Sequence, residues 1–161
     1  MAIYVKIPGI KGQTQTAGFK ECLEVESFQV GASLAVTAGT SNSERTTSLP
    51  SFSEVILSRE SDSATPQLLQ KLADAEVVKG KTVVTFVRKD NKKMLDLMTV
   101  TLSDVVISTM SINSGGELPM ESIGLNFSGI EIEYTKQAEA GGNEGKAPFV
   151  YNISTDEAKA N

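Results

Sequence analysis

Carboxylates are the main candidates for acid–base chemistry in this 161-residue chain, because the sequence contains no histidine, the commonest general base. That absence excludes a Ser-His-Asp triad, a Cys-His pair and zinc sites built from Cys and His. The notable carboxylate pairs, Glu24/Glu26 and Glu131/Glu133, each have i, i+2 spacing. This spacing puts both side chains on one face of a strand and favours a solvated face, with a glycosidase-like pair as the alternative. We predict no catalytic residue, no metal and no cofactor.

Two further features are weak candidates for chemistry. Cys22 is the single cysteine, so no intramolecular disulfide can form, and its strand-like context predicts a small buried or half-buried side chain. The segment Ser114-Gly115-Gly116 could belong to a phosphate-binding loop, but neither a GxxxxGK[ST] pattern nor a helix follows it. It is better explained as a connecting turn that needs residues with positive φ.

Charge argues against nucleic acid and anionic membranes as partners. The formal net charge is −5, so non-specific attraction to either polyanion is not expected. One local basic cluster surrounds Asp90-Asn91, whose residue types predict a hairpin tip. Its members are Arg88, Lys89, Lys92 and Lys93.

The composition, 40% hydrophobic and 22% charged, is that of a globular protein, and the length fits one domain over residues 1–161. The first residues lack a basic stretch followed by an apolar one, so we expect no secretory signal peptide. No apolar run approaches the ~20 residues of a membrane-spanning helix. We therefore expect cytoplasmic folding, with export only through a dedicated machine.

Alternation of apolar and polar residues with period two predicts strands along most of the chain. With turn signals between them and one helix, the strands predict a mainly β fold, an antiparallel β-barrel of two packed sheets. The predicted strands are residues 3–7, 21–30, a short one around Leu34 and Val36, 52–59, 81–89, 93–102, 105–112, 120–135 with a phase shift at Gly129, and 148–153.

One segment predicts a short helix. Thr65 is a candidate N-cap, and Pro66 would occupy the first helical position, where its missing N–H has no cost. A leucine-rich stripe at helical spacing follows over 68–72, and we expect the helix to end near Glu76.

The stretch 38–50 has little apolar content and is rich in Gly, Thr and Ser. Loops of this length are uncommon unless they are functional or disordered, so we predict an extended interaction loop. A flexible connection is expected over 136–146 and a flexible tail over 154–161.

Four segments together resemble one known family. Residues 1–12 resemble a first strand with a Gly-Ile-Lys-Gly-like turn, 24–31 a second strand, and 62–69 a Ser-Pro-x-Leu-Leu helix start. The most specific block is 100–127. It is similar to a segment of that family in which a strand is followed by a Gly-Gly turn, a Glu and a Leu-Asn-Phe run. These are features of the Hcp (haemolysin-coregulated protein) family of type VI secretion. Phe28 stands where members often have Trp, and 38–50 has no close match.

The resemblance implies a structural subunit rather than an enzyme. The barrel, flanked by its helix, would form a homohexameric ring, and rings would stack into the inner tube that a contractile sheath propels with its spike components. Small effector proteins would travel in the lumen, and the chain would be cytoplasmic before firing and extracellular afterwards. By resemblance, the residues expected to face the lumen are Ser27, Gln29, Gly31 and Ala32.

The polar loop is a candidate for contact between rings, because it is long and has an apolar Leu49-Pro50 at its base. The residues expected to reach the adjacent ring are Thr40, Ser41, Asn42, Ser43, Glu44, Arg45, Thr46, Thr47, Ser48 and Leu49.

Three alternatives remain open at this point. A tail-tube-like subunit of a phage or another contractile injection machine would share the architecture. A monomeric small-molecule-binding β-barrel should have a lumen lined by aromatic residues, yet the chain has six Phe, three Tyr and no Trp. An uncharacterised hydrolase fits poorly, since histidine is absent.

Overall fold

Two antiparallel sheets and one helix form the protein in a computed structural model, which describes residues 1–38, 45–90, 93–137, 143–155 and 157–159. Strands are numbered in chain order. In spatial order, the seven-stranded sheet contains β15 (Glu157–Lys159), β14 (Asn143–Asn152), β13 (Gly129–Gln137), β10 (Lys93–Ser103), β9 (Thr82–Asp90), β1 (Ala2–Lys6) and β2 (Leu23–Val25). The four-stranded sheet contains β11 (Val106–Asn113), β12 (Met120–Asn126), β8 (Val55–Glu60) and β3 (Ser27–Gln29). Two short pairs complete the strands, β4 (Ala32–Ser33) with β7 (Ser51–Phe52) and β5 (Val36–Ala38) with β6 (Arg45–Thr47).

The sheets pack face to face around one apolar core, which confirms the predicted mainly β class with antiparallel sheets and one short helix. Phe28 and Phe86 meet edge to face across the two sheets, with ring centroids 5.3 Å apart. Directly paired residues on one face of a sheet lie side by side, so the core is built from cross-strand rows. One row crosses the seven-stranded sheet through Leu23, Val5, Val84, Val100, Ile132 and Phe149.

Two predicted strands each divide between the sheets. Residues 21–30 supply β2, which pairs with β1, and β3, which pairs with β8; the chain crosses at Glu26, whose N–H donates to Ser58 O at 2.8 Å. Residues 120–135 supply β12 and β13, with the crossing between Asn126 and Gly129.

The inward phase changes by one residue at each crossing, from Val25 to Phe28 and from Phe127 to Ile130. The phase shift predicted at Gly129 lies at the second crossing, but it was interpreted as an irregularity within one strand rather than as a change of sheet.

Backbone pairing also adds strands where polar composition predicts loops. Part of the predicted loop 38–50 is β6, which pairs with β5, and the expected short strand around Leu34 and Val36 is the two strands β4 and β5. The C-terminal strand β14 is longer than predicted, and β15 pairs with it inside the segment expected to be a flexible tail. Main-chain hydrogen bonds do not require apolar side chains, which explains these differences.

The helix α1 (Thr65–Ala73) begins one residue earlier than predicted, with Ala64 as N-cap and Pro66 at the second position. Ala75 adopts a φ of 49°, which is incompatible with a continuing right-handed helix, so α1 ends before Glu76. Leu68 is fully buried and α1 packs against β11. The helix therefore closes one side of the core.

Candidate assembly surfaces

A row of four serines crosses the outer face of the four-stranded sheet. The register pairs Ser27 with Ser58, Ser58 with Ser122, and Ser122 with Ser111, so their side chains share the face that points away from the core. Ser27 and Ser111 are exposed, and the two middle serines are half-buried. The result is a band of hydroxyl groups across the whole width of the sheet.

The adjacent row on this face is also uncharged and contains a glycine. It consists of Gln29, Ile56, Gly124 and Thr109. A Cβ at Gly124 would clash with the Thr109 hydroxyl and would lie 3.2 Å from Glu54 Oε2. Glycine at 124 therefore keeps the surface flat. We call these two rows the hydroxyl face.

The two outer strands of this sheet, β3 and β11, each pair with a strand on one side only in the described part of the chain. An outer strand presents unpaired N–H and C=O groups that another chain can extend. The hydroxyl face thus ends at two sheet edges in the described part of the chain.

The predicted lumen residues divide between two structures. Ser27 and Gln29 are exposed on the hydroxyl face, as part of β3. Gly31 and Ala32 are also exposed but lie beyond that strand, where the Gly31 N–H donates to Ser53 Oγ at 2.8 Å and Ala32 belongs to β4. The partners of Ser27 on β8, β12 and β11 were not identified from the sequence, because register is a tertiary property.

A hairpin arm carries the predicted ring-contact residues that the structure describes. We define the arm as residues 34–38 and 45–49. Ser48 ties its base together, since its N–H donates to Ala35 O at 3.0 Å and its Oγ accepts from Ala35 N at 3.1 Å. Arg45, Thr46 and Thr47 form β6, whereas Thr40 to Glu44 lie outside the described residues.

The base of the arm is unusually apolar for a surface element. Leu34, Val36 and Leu49 are 48%, 54% and 71% exposed. A cluster of exposed large apolar side chains commonly marks an interaction surface.

A second apolar area lies on the inner face of the seven-stranded sheet, where β13 and β14 extend beyond the core. Along one cross-strand row, Phe86 is buried, Met98 is partly buried and Tyr134 is half exposed. In the neighbouring row, Phe149 on β14 is 39% exposed. This apolar strip is continuous with the core and is only partly covered in a single chain.

The carboxylate pairs occupy strand surfaces. Glu24 and Glu26 are exposed, whereas Glu131 and Glu133 are half-buried beside lysines. Lys146 Nζ lies 2.6 Å from Glu133 Oε1, and this hydrogen bond and the carboxylate charge raise the pKa of Lys146. Lys81 and Glu131 form a looser pair at 3.9 Å. These are solvated ion pairs of the kind that contributes little to stability.

Cys22 is buried in a small cluster with Tyr4 and Val87 on the outer face of the seven-stranded sheet. Burial raises the pKa of its thiol, although the charge of Lys6 acts in the opposite direction. Within the described residues, no group of three or more His, Cys, Asp or Glu could hold a metal ion. No helix in that part of the chain has the length and hydrophobicity needed to cross a bilayer.

A buried ionic network lies at one end of the core. Arg59, only 1% exposed, forms ion pairs with two carboxylates: its Nε lies 2.8 Å from Glu121 Oε1, and its Nη2 pairs with Asp62. The Nε–H itself donates to Glu60 O at 3.0 Å. Glu121 also accepts a 2.7 Å hydrogen bond from Thr65 Oγ1, which links β12 to the start of α1.

Sequence analysis missed this network. The sequence did contain a signal for it. Arg59 follows Leu57 by two residues in a strand, so both side chains point toward the core.

Comparisons with known proteins give one matching family model and several solved structures with a similar fold. Residues 4–134 match the family described as "Type VI secretion system effector, Hcp". A solved "type six secretion system protein" is 19% identical, covers 98% of this chain and 99% of its own, and has a TM-score of 0.89. Hcp1 from Salmonella typhimurium is 20% identical, with 98% of each chain covered and a TM-score of 0.79. A chain of the anti-feeding prophage baseplate is 11% identical over 81% of this chain and 90% of its own, with a TM-score of 0.52. No curated protein matches the sequence.

Proposed function

Since the chain belongs to the Hcp family of type VI secretion system effectors, we propose a structural role for it. It forms hexameric rings, and the rings stack into the inner tube of the secretion machine. The observation that carries the proposal is the four-stranded sheet, with an apolar inner face, a hydroxyl outer face and two outer strands paired on one side only. A heterologous contact that closes on itself satisfies both edges without leaving a free one.

In the proposed ring, β3 of each subunit pairs with β11 of its neighbour, and the hydroxyl faces line a common channel. The serine row supports this arrangement, because it runs from one edge strand to the other and would continue from subunit to subunit. Ser27 and Gln29 would then face the channel, together with Ser58 and Ser122. The apolar strip around Tyr134 and Phe149 would be covered by neighbouring protein.

We assign the arm to contact between rings. Its apolar base, with Leu49 71% exposed, gives it a surface to bury in a partner. Deleting Ser41 to Thr47 should leave rings intact and abolish tubes, and Leu49→Ser should weaken tubes in the same direction. Leu69→Ser is the matched control, since Leu69 is an exposed leucine on α1, away from the arm. Unchanged tubes in the deletion variant would refute this role.

The proposed partners follow from the tube. They are further copies of the chain, the sheath and spike components of the machine, and small effector proteins in the channel. The role is structural rather than catalytic, and the chain would leave the cell through the machine itself. The similarity to a prophage baseplate chain supports one alternative function. In that alternative, the chain is a tail-tube-like subunit of another contractile injection machine. The genes that neighbour this one would distinguish the two.

The native mass of the purified protein tests the proposal. Light scattering after size exclusion should give a hexamer of 17.1 kDa subunits, about 103 kDa, and negative-stain images of the same peak should show rings. A monomer at tens of micromolar, without ring particles, would contradict the proposal and favour a small-molecule-binding barrel.

A further inference from the structure

Charge is distributed unevenly over the outer face of the four-stranded sheet. The four strands of this sheet contain a single basic residue, Arg59, and its side chain is buried on the inner side. Two carboxylates flank the hydroxyl face instead. Glu54 precedes β8 and Glu60 ends it, so the two lie six residues apart, roughly 20 Å at strand rise. The outer face is therefore neutral across its middle and acidic at both ends.

The Glu54 carboxylate lies over Gly124 on β12, a middle strand of the sheet. A Cβ built on Gly124 would have Glu54 Oε2 at 3.2 Å and Ser108 Oγ at 3.3 Å, and Thr109 Oγ1 would be closer still. Gly124 itself is buried, whereas Ser108 and Thr109 are exposed. Three side-chain oxygens, one from a carboxylate and two from hydroxyl groups, therefore surround one point on the outer face.

This carboxylate has no cationic partner in a single subunit. Glu54 is half-buried, and it forms no ion pair with any residue in the described part of the chain. Partial removal of a carboxylate from water is unfavourable unless a cation or hydrogen-bond donors replace the lost hydration. Lysine and arginine side chains carry donors and no acceptor, so they suit a carboxylate flanked by hydroxyl oxygens.

The proposed ring would repeat this arrangement six times around the channel. The Glu54 carboxylates would form one acidic collar, and those of Glu60 would form a second. An enclosed surface lined by charge of one sign raises the local concentration of the opposite charge and disfavours its own. The hydroxyl rows between the collars can hydrogen-bond to polar groups without regard to charge. Such a channel favours polypeptide with exposed lysine or arginine and disfavours acidic polypeptide and nucleic acid.

We propose that the channel wall binds cationic polypeptide, with Glu54 as the docking carboxylate for lysine and arginine side chains. Ser108 and Thr109 accept further hydrogen bonds from the same side chain, and the serine row binds neutral polar groups of the cargo. This inference rests on the proposed ring and adds to it the chemical class of the cargo.

Fluorescence anisotropy of two labelled peptides on purified rings tests the preference. The probes are a short peptide of alternating lysine and serine, and its counterpart with glutamate in place of lysine. At low salt, parent rings should bind the lysine peptide about tenfold more tightly than the glutamate peptide, with a smaller difference at high salt, where charges are screened. Glu54→Gln keeps the shape of the side chain and removes its charge, so it should weaken binding of the lysine peptide by about tenfold.

Glu24→Gln is the matched control. Glu24 is also a strand glutamate without an ion pair among the described residues, but it pairs with Tyr4 on the outer face of the seven-stranded sheet. Its substitution should change the affinity for the lysine peptide by less than about twofold. Unchanged binding in Glu54→Gln, equal weakening in the two variants, or a parent without preference between the peptides would overturn the inference.

Carbodiimide coupling on parent rings tests the position of binding without a substitution. The reagent joins a carboxylate to an amine through an amide bond, so the bound lysine peptide should become attached to Glu54 in preference to the exposed Glu24 and Glu117. Mass spectrometry of proteolytic fragments identifies the attachment site. Attachment mainly to glutamates other than Glu54 would overturn this inference alone. A parent that forms no rings in light scattering would overturn the proposed function, and this inference with it.

Discussion

The two faces of the four-stranded sheet are built from the same strands but have opposite chemistry. On β8, Val55 and Leu57 are fully buried and point inward, while Ile56 and Ser58 alternate with them on the outer face. On β12, Ile123 is buried next to outward-facing Ser122. Because successive side chains of a strand point to opposite faces of the sheet, the composition of one face does not restrict the composition of the other.

Because the two faces differ, we expect the inner face to determine the stability of each subunit and the outer face to affect the proposed assembly of subunits. Apolar area removed from water on the inner face stabilises the fold of each subunit, at about 25 cal/mol per Å². The hydroxyl face contributes little to that free energy, so its residues are compatible with the channel wall that we propose. Substitutions on the two faces should therefore affect different measurements.

The largest effect is expected where the inner face carries charge. Glu121→Ala combined with Asp62→Ala removes both carboxylate partners of Arg59 and should lower the free energy of unfolding by about 3–5 kcal/mol, because the buried guanidinium is then left uncompensated. Urea denaturation measures the loss. Glu133→Ala, which breaks the exposed pair with Lys146, is the control and should cost at most about 1 kcal/mol. Equal losses for the two variants would mean that Arg59 is not effectively buried.

A smaller loss is expected from the apolar part of the inner face. Leu57→Ala should lower the free energy of unfolding by about 2–5 kcal/mol, through lost transfer energy and a cavity in the core. Ser58→Ala, the next residue on the opposite face, should stay within about 0.5 kcal/mol. Comparable losses at 57 and 58 would break the distinction between the faces.

Substitution on the hydroxyl face should change assembly rather than folding. Ser58→Glu places one carboxylate per subunit on the proposed channel wall, so at low salt the ring should dissociate at a protein concentration about threefold higher, with recovery at high salt. Ser58→Gln tests size without charge. Light scattering across a dilution series gives the result, and identical salt dependence for the two variants would argue that Ser58 does not face a shared channel.

The smallest effect concerns Cys22, which belongs to neither face of this sheet. Because burial raises the pKa of its thiol, less thiolate is present at pH 8 than in an exposed cysteine, and maleimide labelling should be slow in the folded protein. The unfolded chain ionises its thiol at lower pH, so the contribution of this group to stability is lost as the pH rises above about 8.5. Labelling as fast as in denatured protein would show that Cys22 is exposed.

The sequence predicts the strands and the fold class well because period-two alternation reports burial, as Val55 and Leu57 illustrate. It misses the two crossings, near Glu26 and between Asn126 and Gly129, because a phase shift such as the one predicted at Gly129 is equally compatible with a bulge within one strand. It misses the Arg59–Glu121 network because charged residues are expected outside.

The residues of the candidate assembly surfaces were predicted only in part, for a related reason. Ser27 and Gln29 follow from family resemblance, whereas their alignment with Ser58, Ser122 and Ser111 depends on strand register, which several segments set together. Part of the predicted loop is a strand, because β6 joins β5 through backbone groups that carry no composition signal.

A three-dimensional electron-microscopy reconstruction of the purified ring tests the central claim most directly. The account predicts six subunits around a channel lined by the four-stranded sheets, with the row from Ser27 to Ser111 facing inward and β3 next to β11 of the neighbouring subunit. A channel lined by the seven-stranded sheet, with the hydroxyl face on the outside of the ring, would contradict it.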